Sequence, residues 1–425
     1  THYLYAFTAI HDPGESHMST DAEATPKSDA SEPEAPQSLS AQGSNTQVDL
    51  TWSAPSSDGG AAIEDYNIYR GSTSGSLSYY DNVAGTATIY QDTGLSNGTT
   101  YYYSVAAVNS VGEGSQSSEV HATPLQIGEL VSVPSGSFEM GSNVSDEQPV
   151  HSVDLSAYRI GKYEVTNQQY ADVLNYAVNQ EYLENSSGDA YSGGTVYLNG
   201  YVLIDVSSSR CEISYDAGEF SVGNREGYPM ENHPVTEISW HGAVAYTNWL
   251  SESQSLTPCY DLSSWERESP VPNGYRLPTE AEWERAAAWD SDTSKHWTYC
   301  FQKDSISAND CNYDGVNPLG LSDYAYTTPV GYYDGSGSTE ESTSPVGCYD
   351  MSGNLWELVH DLYLSDYYGI SPSSDPAGPT TGTSFVLRGG HWGSTFPFCR
   401  TVDRDQTTSL NHYSYRYGFR LAQTE

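Results

Sequence analysis

The sequence predicts a multidomain protein, in which an all-β sandwich is followed by a larger α+β domain with much irregular structure. The chain has 425 residues, which is more than one hydrophobic core usually serves. Short alternating apolar runs separated by turn residues fill residues 36–124, a pattern typical of a β-sandwich. From residue 128 to 423 the pattern changes, because strand-like runs there lead into helix-start signals, one at Pro278–Thr279 and one close to Asn167. We therefore expect two folded domains.

Residues 1–10 are predicted to form one β-strand, because they are rich in aromatic and β-favouring side chains and contain neither Gly nor Pro. Residues 11–35 contain almost no large apolar side chain, so we expect a flexible acidic linker and an isolated strand before it. Such a strand suits addition to the sheet of another copy of the chain; a frayed terminus or a tag remnant is the alternative. The side chains expected to make this assembly contact are Tyr3, Leu4, Tyr5, Phe7 and Ile10.

The composition restricts partners and location. Asp and Glu total 56 against 16 Lys and Arg, which gives a formal net charge of −40. Such a surface repels nucleic acid and anionic membranes and favours divalent cations. No run of apolar residues is long enough to span a bilayer. The scarcity of lysine, the 36 tyrosines and the even number of cysteines favour an extracellular or cell-surface location.

The predicted sandwich has specific marks. Val48, Leu50 and Trp52 alternate along one predicted strand, and Leu95 followed by Tyr101 suits a tyrosine corner. These residues resemble those of a fibronectin type III module. Modules of that kind are mostly spacers or adhesion units, and we find no catalytic constellation in this one.

The C-terminal region contains a series of motifs in a fixed order. The motifs are Val133–Ser142, Tyr158–Tyr170, His233–Trp240, Tyr275–Arg285, Tyr349–Glu357, Leu387–Trp392 and Gly418–Leu421. An insertion at residues 183–232 interrupts the series, and Asn199–Gly200 within it predicts a hairpin turn. The motifs resemble those of the formylglycine-generating-enzyme (sulfatase-modifying factor) family, which implies a C-type lectin-like fold across residues 128–423.

The resemblance implies a site that has lost part of its chemistry. Enzymes of this family oxidise a substrate cysteine with copper held by two thiolates, after an Arg-Gly-Gly motif. Here Cys399 takes the second cysteine position and Ser394 the first, while His391 stands where the enzymes carry a serine. A serine hydroxyl is a poor ligand for Cu(I). Copper and catalysis are therefore not expected, and these three positions are interpreted as degenerate.

Calcium is the cofactor that the resemblance implies. The first expected set is the Asp350 side chain, the Gly353 and Leu355 carbonyls and the Glu357 side chain, since hard cations prefer oxygen. The alternative for Glu357 is a buried salt bridge. A second, tentative calcium set consists of Asn312, Tyr313, Asp323 and Ala325.

The six cysteines suit disulfides. Cys211 could bridge to Cys259 and Cys300 to Cys311, which would leave Cys348 and Cys399 as the third pair. Six cysteines allow fifteen connectivities, so the sequence leaves the pairing open.

These features favour a non-catalytic extracellular structural protein, which assembles with copies of itself into a filament or surface layer through its N-terminal strand. A carbohydrate- or protein-binding adhesin is the first alternative. A copper-dependent oxidase of the formylglycine-generating type is the second.

Overall fold

The computed structural model describes residues 3–8, 10–11, 14–15, 17–20, 22–24, 30–183, 194–323 and 325–425. The chain divides into two compact units. One contains Thr1–Ala41, Asp49–Asp92 and Tyr101–His121; the other contains Gln42–Val48, Thr93–Thr100 and Ala122–Glu425. Within the described ranges, no helix is both long and apolar enough to cross a membrane.

The N-terminal segment contains four short strands. They are β1 (Tyr3–Tyr5), β2 (Ile10–His11), β3 (Gly14–Glu15) and β4 (Ala22–Ala24). Strand β1 pairs antiparallel with β4, and β2 pairs antiparallel with β3. The prediction of an isolated strand is therefore wrong, because described parts of the expected linker, residues 11–35, provide strand partners for β1 and β2.

The next strands form two sheets. Their bounds are β5 (Gln37–Ser44), β6 (Gln47–Ser53), β7 (Ile63–Gly71), β8 (Ser78–Ala84), β9 (Ile89–Thr93), β10 (Tyr101–Asn109), β11 (Glu113–Gln116) and β12 (Val120–Ala122). One sheet has the order β5-β6-β9; the other has the order β11-β10-β7-β8, with β12 also paired to β10. The Trp52 and Tyr66 rings meet edge to face at 5.4 Å between centroids, so Trp52 lies in the core as predicted.

The C-terminal region has short strands around three helices. Four-stranded sheets have the orders β13-β16-β34-β26, β17-β18-β23-β32 and β31-β30-β29-β33, and further strands form two-stranded hairpins. The bounds are β13 (Leu130–Val133), β14 (Gly136–Met140), β15 (His151–Leu155), β16 (Tyr158–Gly161), β17 (Thr195–Leu198), β18 (Tyr201–Asp205), β19 (Ile213–Asp216), β20 (Glu219–Val222), β21 (Asn224–Arg225), β22 (Tyr228–Pro229), β23 (Ile238–Ser239), β24 (Tyr260–Asp261), β25 (Glu266–Arg267), β26 (Tyr275–Arg276), β27 (Trp289–Asp290), β28 (Lys295–His296), β29 (Trp356–Leu362), β30 (Phe385–Arg388), β31 (Arg404–Gln406), β32 (Tyr413–Ser414), β33 (Tyr417–Gly418) and β34 (Ala422–Thr424).

The helices begin where side chains cap the first turn. They are α1 (Asn167–Asn179), α2 (Trp240–Ser253) and α3 (Glu280–Ala288), with N-caps Thr166, Ser239 and Thr279. Both Thr caps accept from the backbone of the third helical residue, whose side chain reaches back in a capping box. The predicted helix start at Thr279 is confirmed, and the N-cap expected close to Asn167 is Thr166, the residue before it.

The predicted hairpin in the insertion is also confirmed. Strands β17 and β18 pair around Asn199 and Gly200, which both have positive φ, at 51° and 80°. Part of this insertion, residues 184–193, lies outside the described residues. The side chains of α1 and α2 lie in one large core cluster, and α3 contributes Trp283 to a second.

Candidate functional site

The segment after β30 contains the three positions interpreted above as degenerate, His391, Ser394 and Cys399. Gly390 has a φ of 78°, and a Cβ at this residue would lie 2.9 Å from Cys399 Sγ, so only glycine fits here. The Ser394 hydroxyl accepts the His391 N–H at 3.0 Å, and the Ser394 N–H donates to the His391 carbonyl at 2.7 Å. Ser394 therefore closes a tight turn of its own loop.

Cys399 is fully buried. Its Sγ lies 3.9 Å from the carbonyl oxygens of Ser394 and Thr395, which are hydrogen-bond acceptors for a thiol. Burial, with a smaller contribution from the charge of Asp403, raises the pKa of Cys399 well above its usual range. The side chain is therefore a protonated thiol rather than the thiolate that copper and nucleophilic chemistry require.

His391 is not placed as a base. Its Nδ1 accepts the Gly393 N–H at 3.0 Å, so that nitrogen is not directed at the Ser394 hydroxyl. Burial, assisted by the positive charge of Arg416, lowers the pKa of His391 to about 4. The residues at these positions fit a copper centre poorly, because the first position carries a serine hydroxyl in place of a thiol.

Glu357 is held by an arginine. Arg420 donates to both of its carboxylate oxygens at 2.6 Å, and Trp283 Nε1 donates to one of them at 2.9 Å. Both Glu357 and Arg420 are fully buried. A guanidinium bound to both oxygens opposes a calcium ion on the same carboxylate. The salt bridge, the alternative left open by the sequence, is what the structure contains at this carboxylate. The calcium role of Glu357 stays a prediction.

The Asp350 carboxylate remains a candidate cation ligand. Its Oδ2 accepts the Gly331 N–H at 2.6 Å, and burial raises the pKa of Asp350 to about 6. Gly353 and Leu355 lie on the same loop, with Gly353 at a φ of 92° that favours glycine. The Asp350 side chain is 6% exposed, so the rise in its pKa reflects the cost of burying its negative charge.

Glu164 is a second buried carboxylate that the sequence analysis missed. Its Oε2 accepts the Asn354 Nδ2 at 2.9 Å, whereas its Oε1 is buried without a hydrogen-bond partner among the described residues. Burial, and then the charge of Asp350, raise the pKa of Glu164 well above its usual range. Two neighbouring buried carboxylates with an orphaned oxygen fit a hard cation. The sequence signal that could have identified this acid is a glutamate between apolar residues just before the N-cap of helix α1.

The tentative second calcium set fits poorly. Asn312 has a buried Oδ1 without a partner in the described structure, as a ligand oxygen would. The Tyr313 carbonyl accepts the Val316 N–H, however, and the Ala325 carbonyl accepts from the Arg225 guanidinium at 3.4 Å. A cation on Ala325 would face that guanidinium. Asp323 is exposed on the surface of the same region. Across the described ranges, no group of three His, Cys, Asp or Glu side chains is placed to hold a metal ion.

The cysteines correct the disulfide prediction, since all six are free thiols. Cys259 Sγ donates to the carbonyls of Pro272 and Gly274, at 3.6 and 3.4 Å, instead of bonding Cys211. The other four lie in the second core cluster, where burial raises the pKa of each thiol. They are Cys300, Cys311, Cys348 and Cys399.

Fold and site together define a protein that joins a fibronectin-type sandwich to a domain with a sulfatase-modifying-factor architecture. Residues 116–425 match the model of the sulfatase-modifying factor enzyme 1-like domain, and residues 34–123 match that of the fibronectin type III domain. The chain therefore belongs to the sulfatase-modifying factor enzyme 1-like family.

Individual proteins are similar to parts of this chain. The chain is 31% identical over 309 residues to serine/threonine-protein kinase pkn1 of Chlamydia caviae, covering 72% of this chain but only 39% of that protein. It is 29% identical over 317 residues to the formylglycine-generating enzyme of Thermomonospora curvata, covering 69% of this chain and 92% of that enzyme. Among solved structures it is similar to Treponema denticola variable protein 1, with a TM-score of 0.48 and 24% identity over 73% of this chain and 96% of that one.

Proposed function

We propose that this protein is a non-catalytic extracellular structural protein, in which the family domain serves as a scaffold that calcium stabilises. The observation that carries the proposal is the serine at position 394, which stands at the first cysteine position, together with the burial of Cys399 at the second. The serine closes its own turn, and the cysteine is a buried, protonated thiol. Neither side chain is free to supply the soft, charged ligand that copper oxidation needs.

Copper binding and peptide oxidation test the absence of catalysis. Cu(I) is titrated against the protein with a competing chelator, and a cysteine-containing peptide is incubated with protein and copper and analysed by mass spectrometry. We expect no stoichiometric copper and no aldehyde product. The Cys399→Ser variant is the matched control, because it measures copper bound elsewhere. Stoichiometric copper that this variant loses, together with peptide conversion, contradicts the proposal.

The calcium role rests on Glu164 and Asp350. Their buried charges repel each other, and an oxygen of Glu164 lacks a partner in the described structure. A divalent cation between them would offset this repulsion and satisfy that oxygen. Calcium is thus proposed as a structural cofactor of this domain, with Glu164 in the role first assigned to Glu357.

Self-assembly is proposed through the N-terminal segment. Leu4, Tyr5, Phe7 and Ile10 are 64%, 50%, 74% and 85% exposed, which is costly for large apolar side chains unless a partner covers them. The side chain of Tyr3 lies outside the described part of the structure. The pair β1–β4 is a two-stranded sheet with short outer edges, and a strand from a second copy could extend it. We therefore propose that another copy of this chain covers these side chains.

Removal of residues 1–24 tests the assembly. We expect the truncated protein to remain a folded monomer in analytical ultracentrifugation, while the full chain forms polymers that electron microscopy detects. The double variant Phe7→Asp and Ile10→Asp should act like the truncation. Ile370→Asp is the matched control, because Ile370 is 70% exposed elsewhere in the chain and should leave polymers intact. Polymers formed by the truncated protein would refute this part of the proposal.

A further inference from the structure

An open cavity of about 650 Å³ lies in the C-terminal unit, away from Cys399 and from Asp350. The start of α2, the hairpin β24–β25, the strands β29 and β30 and residues 377–382 contribute to its walls. A volume of this size accommodates a ligand of one or two sugar rings. None of the degenerate or predicted calcium-binding residues lines it.

The cavity has a rigid aromatic wall. His241 stacks on Tyr201 with 4.0 Å between ring centroids and meets the edge of Trp265 at 4.7 Å. Trp240 stacks on Phe385 at 4.1 Å. All five residues line the cavity. Flat aromatic faces of this kind pack against the C–H faces of ring ligands at little entropic cost.

Two polar groups in this wall lack partners. The His241 side chain is 4% exposed, and its Nδ1 has no hydrogen-bond partner among the described residues; the same is true of Trp265 Nε1. Buried polar groups normally have partners, so these two are candidates for ligand contacts after small side-chain adjustments. Trp265 also has a φ of 63°, a conformation that bulky residues rarely adopt. The hairpin therefore holds this indole in place at a conformational cost.

Arg267 places a positive charge in the cavity wall. Its side chain is half-buried, whereas those of Glu266 and Glu268, which also line the cavity, are exposed, so solvent screens their negative charges more strongly. Among the described residues, no carboxylate forms an ion pair with Arg267. The cavity also includes Trp240, the first residue of α2, so the positive end of that helix dipole lies beside it. An unpaired cation is notable in a chain of net charge −40.

We infer that this cavity binds an acidic monosaccharide, a sugar ring that bears a carboxylate. The ring packs against the aromatic wall, its hydroxyls contact His241 and Trp265, and its carboxylate binds Arg267. Hydroxyl groups suit the neutral His241 ring because they both donate and accept. This inference is independent of the structural role proposed above, since it concerns a different set of residues.

Isothermal titration calorimetry of the full chain with glucuronic acid, glucose and benzoate tests the inference. We expect glucuronic acid to bind one to one, and glucose and benzoate to bind about tenfold more weakly or not at all, because each lacks one of the two recognised features. Arg267→Met should weaken glucuronic acid to the level of glucose. His241→Phe, which keeps the stacked ring, should weaken both sugars.

The control variant is Arg416→Met, since Arg416 is an exposed arginine of the same unit outside the cavity. It should bind glucuronic acid like the unaltered chain, and circular dichroism checks that each variant is folded. Added salt should weaken glucuronic acid more than glucose. The inference is overturned by no binding of glucuronic acid, by equal binding to Arg267→Met, or by benzoate binding as tightly as the sugar acid.

Discussion

Arg388 neutralises buried acids of α3, and its replacement by Met should destabilise the C-terminal unit strongly. Its Nη2 donates to Glu284 Oε2 at 2.6 Å and its Nη1 to Glu280 Oε1 at 3.2 Å, and all three side chains are fully buried. Arg404 also binds Glu280, so that acid keeps a partner in the variant. In the variant, the Glu284 carboxylate would still contact His296 Nε2 at 3.1 Å. It would also accept hydrogen bonds from two uncharged donors, the Gly141 N–H at 2.7 Å and the Tyr368 hydroxyl at 3.5 Å.

The expected magnitude follows from two estimates. Leaving one member of a buried ion pair without its partner costs about 3–5 kcal/mol. Burial alone would raise the pKa of Glu284, but the charge of Arg388, with help from His296, outweighs burial and lowers the pKa from 4.5 to about 2. A shift of this size corresponds to about 3 kcal/mol of folding free energy. Both estimates give a loss of about 3 kcal/mol for Arg388→Met.

The pH dependence gives a second readout. Because the folded-state pKa of Glu284 is lowered, its contribution to stability is present above pH 4.5 and is lost as the pH falls through about 2. In Arg388→Met, burial dominates and the pKa of Glu284 rises above 4.5. The change of stability with pH then has the opposite sign. The variant should lose stability as the pH rises from 4.5 through the raised pKa.

Urea unfolding followed by tryptophan fluorescence, at about pH 5 and about pH 7, measures both effects. Arg416→Met is the control and should cost less than about 0.5 kcal/mol. Adding Glu284→Gln to Arg388→Met should restore part of the loss, because the buried charge is then absent. A loss below about 1 kcal/mol, or the same loss at both pH values, would show that the buried charge pair does not have the assigned role.

Three further predictions concern calcium, the thiols and the cavity. Calcium should raise the melting temperature relative to EDTA, and Asp350→Asn should remove this increase; an increase that persists in the variant would locate calcium elsewhere. A thiol reagent should titrate six cysteines in the denatured, unreduced chain and few in the native one, since the structure has six free thiols and buries five of them; fewer than six after denaturation would restore the disulfide prediction. Burial lowers the pKa of His241 to about 4, so calorimetric affinity for glucuronic acid should stay constant from about pH 5.5 to about pH 8, and a change near pH 6.5 would show that His241 titrates in an open environment.

The features that the sequence predicted correctly depend on residues close together in the chain. The start of α3 at Thr279 and the turn at Asn199–Gly200 are of this kind. A capping side chain binds the backbone three residues later, and a two-residue turn needs only residues that accept positive φ. The alternation that placed Trp52 in the core is equally local. Local backbone and side-chain preferences act in the same way in any surrounding fold.

Other features depend on residues that only the tertiary structure brings together. Arg420, 63 residues after Glu357, is the partner that places this acid in a buried salt bridge. Asn354 contacts Glu164 across 190 positions, and this contact connects Glu164 to the Asp350 loop. The aromatic cavity likewise combines segments from Tyr201 to Leu410. The sequence by itself determined the two domains, their family and the serine at position 394. Packing decided the partners of the buried charges, because burial cost and Coulomb attraction depend on distances in space.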